Sequence, residues 1–212
     1  MLEVNNLKIS HQNRDVLKGV TFDVRLNQIV GISGAIASGK SSIFETILNF
    51  REFSNGTIIY ENKKVAYNNR NHILNLRKNI GYLSQKDYFL NKISLFDNFR
   101  WICKISEDRV IELASLTGIT DILYNKTDSI SQTEKIRFKL ALSLVENPHI
   151  LFIDEPLESL NIDEIEDFLD TVEDIAKSLK IGVVIASQEI EKFKKDRFDK
   201  IYILEKGLLN AI

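Results

Sequence analysis

The stretch GAIASGKS at residues 34–41 has the spacing of a loop that binds phosphate groups. It follows a strand-like apolar run and opens a helical segment at residues 42–49. In such a loop, backbone N–H groups and the helix N-terminus converge on phosphate oxygens. Lys40 can bridge the terminal phosphates, and the Ser41 hydroxyl can bind Mg²⁺. The stretch therefore predicts a site for the phosphates of a nucleotide.

Two adjacent carboxylates, Asp154 and Glu155, follow the apolar run ILFI. Such a run predicts a buried strand, and open parallel sheets bind ligands at the C-terminal ends of their strands. One carboxylate can complete the shell of Mg²⁺, and the next can orient or polarise an attacking water. Together with the phosphate loop, the pair predicts a site that binds and cleaves a nucleoside triphosphate.

Short β-type runs alternate with helical patterns, which predicts an α/β fold with a largely parallel sheet. The runs HILFID and GVVIAS are apolar throughout, as strands covered on both faces should be. Apolar residues at three- and four-residue spacing predict a helix over Ile162–Leu179 with an acidic outer face. Helical segments at 95–101 and Glu107–Thr117 occur without a strand between them and predict a small helical lobe.

The composition narrows the class of protein. The chain has 212 residues, which predicts one domain or a domain with a small lobe. A net charge of −2 gives no indication of nucleic-acid binding. The single cysteine excludes an internal disulfide, and no secretory signal is recognised. Because the apolar runs are far shorter than the roughly 20 residues that span a bilayer, we expect a cytoplasmic protein, which would serve a membrane only by docking.

The order of these motifs resembles the nucleotide-binding domain of ATP-binding-cassette (ABC) transporters, over nearly the whole chain. GAIASGKSS resembles the Walker A loop, with Ala37 where the family usually has another glycine. LFIDEP is similar to Walker B with the catalytic glutamate, which implies a metal role for Asp154 and a catalytic role for Glu155. IGYLSQ resembles the strand before the Q-loop, and Gln85 would sense Mg²⁺ and the transmembrane partner.

Other stretches extend the resemblance. DVLKGVTFDV resembles the family's early antiparallel strands and places His11 where an aromatic residue usually stacks on adenine. LESLN resembles the D-loop but ends in Asn161 rather than aspartate, and DKIYILEKGLL resembles the final hairpin. The implied fold is one P-loop ATPase domain over residues 1–212, with an antiparallel β portion and a helical lobe at about 89–147. The implied nucleotide contacts in the loop are Gly34, Ala35, Ile36, Ala37, Ser38, Gly39, Lys40, Ser41 and Ser42.

ISQTE, at residues 130–134, stands where the family has its signature LSGGQ. In the family, two domains pair head to tail, and each signature helix points its N-terminus at the γ-phosphate held by the other domain. Ser131 and Glu134 still form a capping-box pattern, but the two glycines are replaced by Gln132 and Thr133. Glu134 also adds a negative charge, and at about 7 Å and a dielectric near 20 its repulsion of a phosphate charge is roughly 2 kcal/mol. The resemblance thus implies a weakened phosphate contact through Ser131.

The family's switch histidine is also missing. Gln188 occupies its place after VVIAS, and the three histidines, His11, His72 and His149, all precede Asp154. Gln188 can hydrogen-bond a γ-phosphate but cannot carry a charge. We therefore assign Gln188 a catalytic position with reduced capability, and we expect hydrolysis to be slow.

The resemblance implies an ATP-binding, slowly hydrolysing subunit that uses ATP and Mg²⁺. Its partners would be a separate transmembrane permease, at the inner face of the cell membrane, and a second ABC domain in a homo- or heterodimer. The alternative is a nucleotide-gated regulatory or assembly ATPase that moves no solute. A kinase or GTPase is disfavoured, because the guanine-type sequence NKTD lies between helices rather than at a strand end. The interval from Gln85 to Ser131 is too short for the coiled coils of DNA-repair relatives.

Overall fold

The computed structural model describes residues 1–11, 14–156, 160–188, 190 and 195–212, without the side chains of His11, Arg14 and Lys195. Within this part the polypeptide forms two sheets surrounded by helices. The strands are β1 Leu2–His11, β2 Arg14–Val24, β3 Ile29–Ser33, β4 Asn55–Tyr60, β5 Lys63–Lys64, β6 Ile80–Leu83, β7 Ile150–Asp154, β8 Gly182–Ala186, β9 Lys200–Glu205 and β10 Leu208–Ala211.

The larger sheet has six strands in the order β10-β9-β3-β8-β7-β6. All neighbours from β9 to β6 are parallel, and β10 returns antiparallel to β9 as the predicted final hairpin. The smaller sheet is antiparallel, in the order β2-β1-β4-β5. Every residue of β3, β7 and β8 is buried, as their continuous apolar sequences predict. The predicted α/β fold, with a mostly parallel sheet and an N-terminal antiparallel portion, is confirmed.

The helices follow the predicted pattern with one local difference. They are α1 Lys40–Ile47, α2 Arg70–Asn79, α3 Leu95–Asn98, α4 Glu107–Thr117, α5 Gln132–Ser143 and α6 Ile162–Leu179. The last of these has the predicted bounds, and the predicted helix at 42–49 begins two residues earlier. The segment predicted as one helix at 95–101 divides into α3 and a π-helix, Phe99–Cys103, which is a geometry that sequence periodicity does not reveal.

The side chains of the parallel strands alternate between two apolar cores. Leu151 and Ile153 face a core formed with α4, α5 and α6, whereas Ile150 and Phe152 face a core shared with α1 and the antiparallel sheet. Phe44 of α1 stacks on Phe152 with ring centroids 4.5 Å apart. This packing holds α1, and therefore the loop before it, against the centre of the sheet.

The helices between β6 and β7 are tied to the sheet by specific contacts. Gly81 of β6 lies so close to the carbonyl oxygen of Ser143 in α5 that a side chain there would clash. Arg137 of α5 donates to the carbonyl of Thr117 in α4 and to the hydroxyl of Thr171 in α6, at 2.9 and 3.1 Å. Among the described residues, no helix combines the length and the apolar character required to cross a membrane.

Candidate functional site

A pocket of about 310 Å³ lies where β3, β7 and β8 end beside the N-terminus of α1. This is the C-terminal edge of the parallel strands, at which the sequence places both motifs. Most of its walls come from residues that the sequence analysis selects. The lining residues are Val16, Ile36, Ala37, Ser38, Gly39, Lys40, Ser41, Ser42, Gln85, Glu155 and Gln188.

Lys40 is the central cation of the pocket. Its ammonium donates to the carbonyl oxygens of Gly34 and Ala35, at 2.5 and 3.0 Å, and forms an ion pair with Glu155 Oε1 at 2.9 Å. The two charged side chains are 4% and 10% exposed. The Lys40 ammonium is therefore held by two carbonyls of its own loop and by Glu155.

The backbone of the loop takes conformations that glycine favours. Gly39 has φ 109° at the N-cap of α1, and a Cβ there would lie 3.1 and 3.2 Å from side-chain carbons of Leu17 and Val16. Ala37, where the family usually has glycine, adopts φ 59° despite its side chain. A non-glycine residue in this left-handed region carries a cost of about 1–2 kcal/mol. The hydroxyl of Ser38 is buried and has no hydrogen-bond partner among the described residues, which fits a loop built around a polar ligand.

Asp154 lies behind the loop at the end of β7 and is 2% exposed. Its Oδ1 accepts a hydrogen bond from the Ser41 hydroxyl at 3.1 Å, and its Oδ2 accepts one from the Tyr82 hydroxyl at 3.0 Å. Burial raises the pKa of Asp154, the two hydrogen bonds lower it, and the nearby carboxylates of Glu155 and Glu45 raise it further. A buried carboxylate whose ionised form is disfavoured in this way gains from a cation.

The oxygens of Ser41 and Asp154 fit Mg²⁺. Mg²⁺ prefers hard oxygen ligands and is usually held by one or two carboxylates together with substrate phosphates. Across the described residues, no group of three or more His, Cys, Asp or Glu side chains could hold a metal by itself. Ser41 and Asp154 offer one hydroxyl and one carboxylate, and phosphate oxygens would complete the ligands of Mg²⁺ there. Gln85 lines the same pocket, and its backbone carbonyl oxygen accepts a hydrogen bond from the Lys139 ammonium at 3.0 Å.

Glu155 is held at the mouth of the pocket from two sides. Its backbone has φ 48°, and its N–H donates to the carbonyl of Ala186 at 2.8 Å, which continues the β7–β8 pairing by one residue. Its Oε1 meets Lys40, and its Oε2 accepts from the backbone N–H of Gln188 at 3.3 Å. These contacts direct the Glu155 carboxylate towards Lys40 in the phosphate loop.

The signature-like segment forms the predicted capping box at the start of α5. The backbone N–H of Glu134 donates to the Ser131 hydroxyl at 3.2 Å, and the backbone N–H of Ser131 donates to Glu134 Oε2 at 2.6 Å. The Glu134 carboxylate thus accepts the Ser131 N–H at the start of the helix, where such groups can otherwise bind an anion. Ser131 does not line the pocket of its own chain, so its predicted phosphate contact stays a prediction about a neighbouring chain.

A second capping box lies beside the first. Asn161, the last residue of the D-loop-like stretch, accepts from the N–H of Glu164, and Glu164 accepts from the N–H of Asn161, at 3.0 and 2.9 Å. The Thr133 hydroxyl donates to Glu164 Oε1 at 2.6 Å and joins the two helix starts. This bond, together with the backbone bond from Asn161, lowers the pKa of Glu164.

The predicted and the observed site residues differ at a few positions. Residues 157–159 of the D-loop-like stretch and the side chain of His11 lie outside the described part, so the adenine contact of His11 stays a prediction. Val16, which lines the pocket, and Tyr82, which donates to Asp154, were not predicted from the sequence. Strand alternation in IGYLSQ could have indicated that Tyr82 faces α1, opposite to Leu83, but not that its hydroxyl reaches β7.

Comparison with known proteins identifies the family. The ABC transporter family matches residues 17–158. The methionine import ATP-binding protein MetN of Clostridioides difficile is 28% identical over 98% of this chain, which spans 66% of that protein. The phosphonates import ATP-binding protein PhnC 2 of Oceanobacillus iheyensis is 27% identical over 98% of this chain and 87% of its own length.

A solved structure gives the same result. CbiO1 of Clostridium perfringens, described as part of the ABC transporter complex cbiONQ, superposes with a TM-score of 0.89 at 25% identity, covering 98% of this chain and 86% of its own. The phosphate-loop sequence and the sheet order thus match those of an ATP-binding cassette. The chain belongs to the ABC transporter family, and the class predicted from its sequence is confirmed.

Proposed function

We propose that this chain is the ATP-binding, slowly hydrolysing subunit of an ABC transporter, and that it powers or gates a separate transmembrane permease at the inner face of the membrane. One observation carries the proposal: the Lys40–Glu155 ion pair and Ser41 line one pocket at the end of the parallel sheet, and Asp154 accepts a hydrogen bond from Ser41 behind it. The relatives are named as ATP-binding proteins for import, which supports the same role here. We retain the single cassette over residues 1–212, with its helical lobe at about 89–147.

Nucleotide binding follows from the charges of the pocket. Arriving phosphates replace the carbonyls of Gly34 and Ala35, and the Glu155 carboxylate, as partners of the Lys40 ammonium. The backbone N–H groups of residues 37–42 surround the phosphate oxygens at the start of α1. Ser41 and Asp154 would hold Mg²⁺, with Gln85 at the pocket rim. When bound, Mg²⁺ supplies neutralisation of the phosphate charge.

Hydrolysis depends on Glu155 once Lys40 has released it. The freed carboxylate can accept a hydrogen bond from the attacking water, and Gln188 at the same pocket can bond the terminal phosphate without adding a charge. The signature face of a second identical chain would bring Glu134 towards that phosphate, and the repulsion of roughly 2 kcal/mol opposes closure. Both features favour slow turnover by a homodimer.

The dimer partner therefore determines the activity. In a heterodimer, this chain's phosphate loop would meet an intact signature, while its own segment at 130–134 would face the partner's nucleotide. Such a pair would have one stronger and one weaker ATP site. A homodimer would have two weakened sites, since each would combine a working loop with a capped, acidic signature segment.

A groove next to the Q-loop supports docking of the permease. It has a volume of about 200 Å³ and lies between the end of β6, the π-helix and α5. Tyr88, which lines the groove, is 69% exposed, and Trp101, the neighbour in sequence of the lining residue Ile102, is 72% exposed. The lining residues are Tyr82, Leu83, Ser84, Lys86, Tyr88, Ile102, Cys103, Lys139, Leu142 and Ser143. An apolar groove with two lysines suits a short permease helix that carries an acidic residue.

The second candidate is a regulatory or assembly ATPase in which nucleotide binding alone changes a partner's state. The observation that favours it is the occupied capping box of α5, because it weakens the contact that couples a neighbouring nucleotide to closure. This reading keeps ATP and Mg²⁺ binding but requires no transported solute.

The two candidates are separated by the partner and by turnover. We expect affinity purification from membranes with ATP and vanadate to recover a transmembrane permease, and ATP hydrolysis by the purified chain to stay below about one per second, at or under the low end of ordinary enzymes. Recovery of a partner without membrane spans would favour the second candidate. Turnover at tens per second by the homodimer would contradict the reduced mechanism.

A further inference from the structure

We propose that Tyr82 is a positioning residue for the magnesium site, acting through Asp154. Its hydroxyl donates to Asp154 Oδ2 at 3.0 Å, while the other oxygen, Oδ1, faces the Ser41 hydroxyl at 3.1 Å. The two bonds come from different elements, β6 and α1, and each fixes one oxygen of the carboxylate. The inference rests on the proposed binding of MgATP.

The carboxylate needs such a constraint. The terminal torsion of an aspartate side chain is broad, so burial alone does not fix the direction of its oxygens. A hydrogen bond on Oδ2 leaves Oδ1 as the oxygen that is directed at Ser41 and the phosphate loop. Hydrogen-bonded partners behind a metal ligand commonly set its orientation and its affinity for the metal.

The ring of Tyr82 is held independently of its hydroxyl. Tyr82 is paired in register with Phe152 of β7, and its ring meets Phe44 of α1 edge-on, with centroids 6.1 Å apart. The hydroxyl donates to Asp154 Oδ2 while these contacts fix the ring. A phenylalanine at this position would retain the packing and lose only the bond to Asp154.

The test compares Tyr82→Phe with a matched variant. Tyr67→Phe also removes a half-buried phenol donor near α1, the 2.7 Å bond to the carbonyl of Ile47, but it does not touch Asp154. Calorimetric titration of the full chain with ATP, first in EDTA and then over a series of MgCl₂ concentrations, separates nucleotide affinity from metal affinity. For Tyr82→Phe we expect the ATP affinity measured in EDTA to stay within about twofold of wild type. The Mg²⁺ concentration that gives half of the Mg²⁺-dependent gain in ATP affinity should rise about tenfold. Tyr67→Phe should change neither quantity.

A double variant shows whether the effect passes through the carboxylate. In an Asp154→Asn background, Tyr82→Phe should cause no further change in Mg²⁺ dependence, because coupled residues are not additive. Three results for Tyr82→Phe would each overturn the proposal in favour of a structural role. They are an equal loss of ATP affinity with and without Mg²⁺, an unchanged Mg²⁺ dependence, and a fall in Tm far beyond that of Tyr67→Phe. If the wild-type chain fails to bind ATP in MgCl₂, the proposed function itself fails, which is a distinct result.

Discussion

Lys40 Nζ lies 2.9 Å from Glu155 Oε1, so the cation that we assign to phosphate and the carboxylate that we assign to water neutralise each other. Both side chains are almost fully buried, and removing one partner of such a pair typically costs 3–5 kcal/mol. We therefore expect phosphates to replace Glu155 as the partner of Lys40 when they enter. On this proposal, ATP binding and release of the Glu155 carboxylate would be one event.

This exchange predicts the behaviour of Glu155→Gln. Loss of the competing carboxylate should raise ADP affinity several-fold, while the loss of the base lowers turnover by about 100-fold or more. Isothermal titration with ADP and a phosphate-release assay measure the two effects. Glu61→Gln removes an exposed carboxylate that pairs with His149 and should change neither. An unchanged or weakened ADP affinity in Glu155→Gln would show that the ion pair does not compete with nucleotide.

The left-handed backbone of Ala37 predicts a gain on substitution by glycine. Ala37→Gly should relieve about 1 kcal/mol of strain, part of which is offset by the greater freedom of glycine in the unfolded chain. The resulting rise in Tm is measurable by differential scanning calorimetry. Ala35→Gly is the matched control, because Ala35 is not among the residues with positive φ and should lose rather than gain stability. Destabilisation by Ala37→Gly as large as that of the control would refute the strain argument.

The signature segment predicts a recovery of activity through one charge. Glu134→Gln keeps a residue that can complete the capping box with Ser131 but removes the negative charge. Relief of roughly 2 kcal/mol corresponds to about a thirtyfold gain in turnover or in ATP-driven dimerisation. Restoring both glycines as well, with Gln132→Gly and Thr133→Gly, should add to the gain and break the bond to Glu164.

Steady-state hydrolysis and sedimentation in ATP measure this effect. The advantage of Glu134→Gln should shrink as salt concentration rises, since it is electrostatic. Asp167→Asn is a suitable control, because it removes a carboxylate that pairs with Arg137 rather than one at the helix start. If Glu134→Gln and Asp167→Asn give the same small change, the charge at the signature position is irrelevant to activity.

The buried carboxylate of Asp154 predicts a pH-dependent stability. Its pKa is raised in the folded chain, chiefly by burial, so the unfolded chain loses this proton at lower pH. The wild-type chain should therefore lose stability as pH rises from about 4 through the folded pKa of Asp154. Asp154→Asn cannot lose this proton and should be more stable than wild type at pH 7 in EDTA, an advantage that disappears near pH 4.

Urea unfolding at both pH values measures this difference. With MgCl₂ and ATP present at neutral pH, the wild type should become more stable than Asp154→Asn, because ligand binding stabilises only the wild-type site. Lower stability of Asp154→Asn at pH 7 in EDTA would mean that the hydrogen bonds from Ser41 and Tyr82 outweigh the cost of burial.

Local signals made the fold and most of the pocket predictable. The spacing from Gly34 to Ser41, the apolar run before Asp154 and the periodicity of Ile162–Leu179 each depend on neighbours within a few residues. Side-chain periodicity and backbone N–H chemistry act at that range, so they can be recognised from a single sequence.

Long-range partners were not predictable in the same way. Tyr82 meets Asp154 across 72 positions, and Thr133 meets Glu164 across 31. Such bonds depend on which strands and helices become neighbours, and on side-chain rotamers that a sequence pattern does not encode. The π-helix at Phe99–Cys103 was missed for a related reason, because one extra residue in a turn changes no composition signal.

The most direct test of the account is equilibrium titration of the intact chain with ATP in MgCl₂, beside Lys40→Ala and the surface control Lys63→Ala. We expect saturable binding of one nucleotide per chain by the wild type and by Lys63→Ala. Lys40→Ala should lose this binding. Absence of binding by the wild type up to millimolar ATP, or undiminished binding by Lys40→Ala, would contradict it.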